Sequence, residues 1–313
     1  MTRAPAFPRP RLAIVGAVLL LACVPGWWLD RVAFVAAWLV AWCFCTGVVL
    51  GALANVWIHT LTGGAWGEPI RAPLLQLGRT LPALVVLVGP VLAGVAALYP
   101  WAGSDWEWTG ERSALAFKFA WLQPVPFVLR AVVVLLVWNG LAWASRSPRF
   151  VRSRGFAAVA LILYGFTVSI AAVDWIMSLM PLWYSSIFGL VVGVGQMLAG
   201  LALGSAAAAR LGGVDAGTKR DLGNLLLAYV LTWGYLAFSQ FLIIWSENLP
   251  HEIVWYIVRR GGGWPALGAL VVLLQFARCR CCSCCSAGSR TRRAVSRRSP
   301  SACSRDTCSR SAG

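Results

Sequence analysis

Six ionisable side chains stand out because they lie inside long apolar runs or at the ends of such runs. They are Asp174, Arg130, Glu247, His251, Glu252 and His59. An ionisable group inside a membrane span costs about 2.5–3.5 kcal/mol on insertion scales, so each is a candidate for function. Carboxylates and imidazoles at a membrane boundary can accept and release protons near neutral pH. The chemistry that these residue types suggest is therefore proton handling.

Arg130 and Asp174 are predicted to meet near one face of the membrane. Arg130 lies six residues into one apolar run, and Asp174 lies five residues before the end of the next. At about 1.5 Å per residue, both fall roughly 8–9 Å below the same boundary. Helices joined by a short loop usually pack side by side, so the two could pair. The pair is either a structural ion pair that fixes helix register, or a proton relay or anchor for a quinone head group.

A second group of candidates lies where a later apolar run ends. Glu247, His251 and Glu252 surround Pro250, which favours the first turn of a helix. A histidine beside carboxylates suits proton release, whereas a solvated loop is the alternative. His59, near the end of another run, is either a proton entry point or an interfacial histidine beside Trp57.

The elements that must position these groups are membrane helices. Mean hydropathy is +0.72, 59% of residues are hydrophobic and only 12% are charged, which is typical of a polytopic α-helical membrane protein. We predict an all-α bundle of seven spans plus a truncated eighth, at residues 12–29, 32–61, 81–101, 124–144, 155–179, 183–209, 222–245 and 264–277. Pro82 and Pro90 interrupt the third span, and residues 68–80 are expected to lie at the interface.

The distribution of charge predicts the orientation of these spans. The net charge is +16, but nine of the 27 basic residues lie after Ala277, so the charge does not indicate nucleic-acid binding. The N-terminus and the even-numbered loops carry twelve basic residues, against five in the odd-numbered loops. By the positive-inside rule the N-terminus is cytoplasmic. The predicted segments are a cytoplasmic N-terminus (1–11), a transmembrane domain (12–277) and a tail (278–313).

The tail is rich in Arg, Cys and Ser and differs abruptly from the apolar run before it. It holds seven of the ten cysteines, without the paired spacing that a zinc site needs. Palmitoylation beside a membrane is a second interpretation. A shifted reading frame in a GC-rich gene is the third, and it is the one we favour.

Three segments resemble a known family. They are residues 59–71 (HTLTGGAWGEPIR), 171–189 (AAVDWIMSLMPLWYSSIFG) and 235–264 (YLAFSQFLIIWSENLPHEIVWYIVRRGGGW). Together they resemble the second NrfD-like membrane subunit of bacterial alternative complex III, a quinol:cytochrome c (or electron-acceptor) oxidoreductase whose membrane subunits are related to those of polysulfide reductase. The resemblance covers about residues 12–276, and the third segment is the most specific.

The resemblance implies a multi-pass subunit of the bacterial inner membrane that contains no haem or iron–sulfur centre of its own. Its partners would be a paired NrfD-like membrane subunit, an iron–sulfur subunit and cytochrome c subunits, and quinol could be bound. Asp174, Glu247, Glu252 and His59 would then be candidates for a proton path. The family usually has a second acid at the position of His251, and it continues with further helices where this chain has its tail. A haem b subunit is disfavoured independently, because the chain has only two histidines, predicted to lie on opposite sides.

Two other functions stay open at this point. A secondary transporter would need discontinuous helices and inverted repeats around a midplane site. Pro82 and Pro90 permit a break, but no second half mirrors it. A purely structural scaffold inside the same complex is the other alternative.

Overall fold

The computed structural model describes residues 9–103, 112–212 and 214–274, and these ranges are helical throughout, with short connecting turns. The chain divides into two units, Met1–Ala266 and Leu267–Gly313, and only residues 267–274 of the second are described. The α-helices are α1 (Arg9–Cys23), α2 (Gly26–Leu29), α3 (Arg31–Thr62), α4 (Glu68–Gly78), α5 (Leu81–Val86), α6 (Gly89–Ala93), α7 (Val95–Leu98), α8 (Arg112–Trp121), α9 (Pro124–Ala144), α10 (Pro148–Val151), α11 (Arg154–Trp175), α12 (Phe188–Leu211), α13 (Ala216–Glu247), α14 (Pro250–Ile257) and α15 (Trp264–Leu274). The predicted tail after Ala277 lies outside the described residues.

Six helical segments in the described ranges are long and apolar enough to cross a membrane. They are Arg31–Thr62, Ala65–Ala93, Pro124–Ala144, Arg154–Leu179, Phe188–Leu211 and Ala216–Glu247. A seventh is reached if Glu252–Arg260 and Trp264–Leu274 count as one broken span. Only 17–39% of the most apolar stretch of each is buried within the bundle, so the apolar surface faces outward, as it does in lipid. By helix length and hydropathy the chain is a multi-pass membrane protein.

The prediction of an all-α bundle is confirmed, but two predicted spans need correction. Residues 12–29 form no long helix, because a turn at Val24 and Pro25 separates α1 from α2. The apolar stretch Gly16–Leu29, which includes this turn, is shorter than a bilayer crossing. Residues 68–80 do not form a separate interfacial segment: α4 buries Ile70 and Leu74 against its neighbours and begins the span that was predicted at 81–101.

Helix α3 is the centre of the bundle, and its closest partner is α12. The two backbones approach at glycine: a Cβ on Gly51 would lie 1.8 Å from the carbonyl oxygen of Gln196, and one on Gly200 would lie 2.3 Å from the amide of Ala52. Asn55 then donates to the carbonyl of Met197 at 2.8 Å. Small residues thus allow a close contact of the kind that stabilises helix pairs in membranes.

The segment from α4 to α7 runs antiparallel to α3 and is broken three times. At each break an amide bonds three residues back, which leaves a carbonyl without its helical donor. Tryptophans of α3 replace two of these donors: the indole N–H of Trp42 bonds to Leu84 O and that of Trp38 to Leu87 O, both at 2.7 Å. Arg31 supplies the third bond, to Ala93 O at 3.1 Å. The breaks before α6 and before α7 therefore have freed carbonyls that accept from side chains of α3, as a span surrounded by lipid requires.

Replacement of Trp42 by phenylalanine should destabilise the protein by about 1–3 kcal/mol, because it leaves the half-buried Leu84 O without a donor. The measurement is the free energy of unfolding in mixed micelles. Trp143→Phe is the matched control, since Trp143 is 71% exposed, and it should change stability by less than about 0.5 kcal/mol. Equal effects of the two substitutions would show that the indole hydrogen bond does not hold the broken span.

Candidate functional site

The structure brings Arg130 and Asp174 together, as the sequence predicts. The guanidinium of Arg130, on α9, donates from Nε to Asp174 Oδ2 at 2.7 Å and from Nη2 to Oδ1 at 3.1 Å. The Asp174 side chain, on the last turn of α11, is 3% exposed, and that of Arg130 is 19% exposed. This two-point geometry is the strong form of an ion pair.

Trp121, at the end of α8, completes the pair. Its indole N–H donates to Asp174 Oδ1 at 2.8 Å, and its carbonyl accepts from Arg130 Nη2 at 2.9 Å. The guanidinium carbon also lies 4.1 Å from the centre of the Trp121 ring, a cation–π contact. Both carboxylate oxygens of Asp174 are thus occupied, an arrangement that suits a fixed ion pair better than a mobile proton carrier.

A cavity of about 320 Å³ opens beside this ion pair. It is lined mainly by apolar and aromatic side chains from α8, α11 and the turn after α11: Phe117, Lys118, Trp121, Leu122, Val173, Met177, Ser178, Pro181, Trp183 and Tyr184. Two of its lining residues touch Asp174, because Trp121 bonds to the carboxylate and the Ser178 hydroxyl donates to the Asp174 carbonyl. The ion pair therefore fixes one wall of the cavity.

Two of the lining residues, Lys118 and Trp183, carry N–H donors that are not bonded to Asp174. Lys118 donates to Pro181 O at 3.3 Å and lies 5.3 Å from the centre of the Tyr184 ring, and burial lowers the pKa of its ammonium group. The indole N–H of Trp183, a residue only 2% exposed, has no hydrogen-bond partner among the described residues. An apolar cavity with a few convergent polar groups is the usual form of a small-molecule site.

The carboxylates predicted to cluster after α13 differ in their surroundings. Glu247 ends α13 and is exposed, whereas Glu252 lies in the first turn of α14 and is buried. The chain reverses between them at Asn248, whose φ of 51° is left-handed. Pro250 starts α14, as the sequence predicts. The His251 side chain lies outside the described part of the structure, so the predicted His–Glu proximity stays a prediction.

An aromatic stack joins α14 to the cavity. The Trp183 and Trp255 rings stack with centroids 4.0 Å apart, and the Arg259 guanidinium lies 3.6 Å from the centre of the Trp255 ring. Gln240, on α13, accepts from Ser185 at 2.9 Å and lies 3.5 Å from the Tyr256 hydroxyl. The helix that carries Glu252 is thus packed against the turn that carries Trp183.

His59 lies apart from these groups, at the other end of α3. Its Nδ1 lies 3.2 Å from Nη1 of Arg71, which can only donate, so Nε2 carries the hydrogen that bonds to Gly64 O at 2.9 Å. Its ring also meets Trp66 edge to face at 5.0 Å. A second proton on Nδ1 would oppose the Arg71 donor, so this geometry favours a structural histidine over a proton entry point.

Sequence reasoning missed Trp121, Lys118 and Arg71. The first two lie between the predicted spans 81–101 and 124–144, where Arg112–Trp121 forms α8. Arg71 was visible only as the end of the segment that begins at His59. The signal that could have found Trp121 is its position three residues before Pro124, where α9 starts and Arg130 follows.

The described residues contain no group of three or more His, Cys, Asp or Glu side chains that could hold a metal ion. Comparison of the sequence with protein-family models and with curated proteins found no match.

Proposed function

We propose that this chain is an integral, multi-pass subunit of a respiratory quinol:cytochrome c (electron acceptor) oxidoreductase in a bacterial inner membrane. In this role it handles quinol at the outer face and supports assembly with a paired membrane subunit, an iron–sulfur subunit and cytochrome c subunits. The observation that carries the proposal is the aromatic cavity whose wall is fixed by the buried Arg130–Asp174 pair. The resemblance of residues 171–189 and 235–264 to an NrfD-like subunit supports the same assignment.

The cavity suits a quinol ring for three reasons. Four aromatic side chains line it (Phe117, Trp121, Trp183 and Tyr184), and its volume of about 320 Å³ is within the range of small-molecule sites. The indole N–H of Trp183 can donate to a ring oxygen. Lys118, beside the Tyr184 ring, supplies a positive charge to the lining. In this proposal Asp174 and Arg130 position Trp121 and do not themselves exchange protons.

A secondary transporter is the second candidate, since the α4–α7 span is discontinuous. Transporters of this kind use the free carbonyls of broken helices to bind an ion or substrate. Here the carbonyls of Leu84, Leu87 and Ala93 accept from Trp42, Trp38 and Arg31. Those groups are therefore engaged in holding the bundle together, which favours the oxidoreductase subunit.

Filling the cavity tests the proposal. Val173→Phe places a larger side chain at the cavity wall, and we expect quinol-dependent reduction of cytochrome c to fall about tenfold or more, because a head group no longer fits. The measurement uses the complex purified from native membranes through a tag on this subunit, with its subunits identified by mass spectrometry. Val159→Phe, on the 55%-exposed lipid side of the same helix, is the control and should leave the rate unchanged.

The two parts of the proposal fail separately. Recovery of the chain without redox partners contradicts the assignment to an oxidoreductase. If the full complex is recovered and the Val173 and Val159 variants have equal activity, quinol does not bind in the cavity. The subunit is then a scaffold.

A further inference from the structure

A second, polar cavity of about 310 Å³ lies at the opposite end of α3 from the Arg130–Asp174 pair, and the proposed function does not use it. It is lined by His59, Thr60, Glu68, Arg71 and Arg152. Three segments meet there: the last turn of α3, the first turns of α4, and the link between α10 and α11. The lining combines two guanidinium groups with one carboxylate.

The floor of this cavity is rigid. Arg71 Nη2 donates to Val151 O at 2.8 Å, and Nη1 lies 3.2 Å from His59 Nδ1. The Thr60 hydroxyl donates to the same Val151 carbonyl at 3.0 Å. Gly67 closes the floor, because a Cβ there would lie 2.1 Å from the His59 ring. The Arg71 guanidinium is therefore held in place before any ligand arrives.

The charges that face the cavity are arranged as a dipole. Glu68 and Arg71 are three residues apart and share one face of α4. Glu68 and Arg152 both act electrostatically on the Arg71 guanidinium, with opposite signs. Arg152 is exposed, and its side chain makes no hydrogen bond to any other described residue. A ligand that fits must carry a negative group toward the arginines and a positive group toward Glu68.

The ends of the surrounding helices place the cavity at the expected boundary between lipid and water. Helices α3 and α9 end beside it, at Thr62 and Ala144, and α11 begins beside it at Arg154. Phe150, next to the Val151 anchor, is 46% exposed, as expected for an apolar side chain that contacts lipid. A molecule that binds here can keep its acyl chains in the bilayer.

We infer that this cavity binds the head group of a zwitterionic phospholipid that carries a primary amine. The phosphate lies between Arg71 and Arg152, and the ammonium group donates to Glu68. Arginine forms strong charge-assisted bonds with phosphate. A quaternary trimethylammonium head group cannot donate to Glu68, and a glycerol head group has no charge to offer it. Preference for the primary amine is therefore the signature of this site.

The test measures lipid affinity of the full chain in detergent by native mass spectrometry. The probes are phosphatidylethanolamine, phosphatidylglycerol and phosphatidylcholine with identical acyl chains, and inorganic phosphate. We expect phosphatidylethanolamine to bind about tenfold more tightly than the other two lipids, as one additional charge-assisted bond predicts. Arg152→Gln should weaken its binding roughly fivefold to tenfold, and Glu68→Gln should abolish the preference for phosphatidylethanolamine over phosphatidylcholine.

Arg149→Gln is the matched control, since Arg149 is an exposed arginine of α10 that does not line the cavity. It should leave lipid affinity unchanged. Equal losses in the Arg149 and Arg152 variants, or no preference among the lipids, would overturn the inference, because general attraction to basic loops then explains binding. If inorganic phosphate binds as tightly as phosphatidylethanolamine, the site is one for free phosphate and not for a lipid. None of these outcomes depends on quinol or on redox partners.

Discussion

Replacement of Gly51 by alanine is expected to prevent stable folding. Alanine ordinarily stabilises a helix relative to glycine by up to about 1 kcal/mol. At Gly51, however, the added Cβ would lie 1.8 Å from Gln196 O and 2.3 Å from the carbonyl carbon. Both are backbone atoms, so α3 and α12 must separate. We expect a loss of at least about 3 kcal/mol, at the upper end of overpacking effects, measured as the free energy of unfolding in mixed micelles.

Gly140→Ala is the control for this substitution. Gly140 lies within α9, and its added Cβ would meet no atom within 4 Å, so the variant should be neutral or slightly more stable. Gly200→Ala should behave like Gly51→Ala, because its Cβ would lie 2.3 Å from the backbone of α3. Normal stability of the Gly51 and Gly200 variants would contradict the described packing of these two helices.

Replacement of Asp174 by asparagine should destabilise the protein by about 3–5 kcal/mol, because it leaves the Arg130 guanidinium without its counter-charge. Because Arg130 is partly exposed, we expect a loss of stability near the lower end of this range. Unfolding in mixed micelles provides the measurement. Asp221→Asn serves as the control, since Asp221 is exposed on α13, and it should change stability by no more than about 0.5 kcal/mol.

The double variant Arg130→Gln with Asp174→Asn separates the two interpretations of the pair. If the pair is structural, the double variant should be more stable than Asp174→Asn alone, with a coupling of about 2 kcal/mol. If Asp174 carries protons, the single variant should fold normally and change the pH dependence of turnover instead. Additive stability losses would show that the two charges act independently.

The all-α fold, most of the long helices and one ion pair could be predicted from the sequence. Apolar runs of about 20 residues identify membrane spans directly, because the thickness of the bilayer sets the length of a span. Arg130 and Asp174 were visible because a charge inside such a run is rare and needs a partner. The run at residues 12–29 was predicted as one span because its composition is apolar throughout, but a turn at Val24 and Pro25 interrupts it.

Other features depend on packing that composition does not show. Trp121 gains its role only when α8 brings it onto Asp174. Glu247 and Glu252 look equivalent in the sequence, yet Glu247 is exposed, whereas Glu252, which follows the left-handed turn at Asn248, is buried. The cavity beside Trp121 combines residues more than 60 positions apart, from Phe117 to Tyr184. Such sites follow from tertiary contacts and not from local pattern.

The tryptophan bonds between α3 and the broken α4–α7 span have a consequence for biogenesis. A helix whose ladder is interrupted cannot leave the translocon for lipid by itself, since each bare carbonyl would cost several kcal/mol in hydrocarbon. Trp38 and Trp42 precede this span in the chain, so their indoles are already present when Leu84 and Leu87 emerge from the ribosome. We therefore expect α3 and the α4–α7 span to enter the bilayer together as a helical hairpin, in which Trp38 and Trp42 bond to the carbonyls of Leu87 and Leu84.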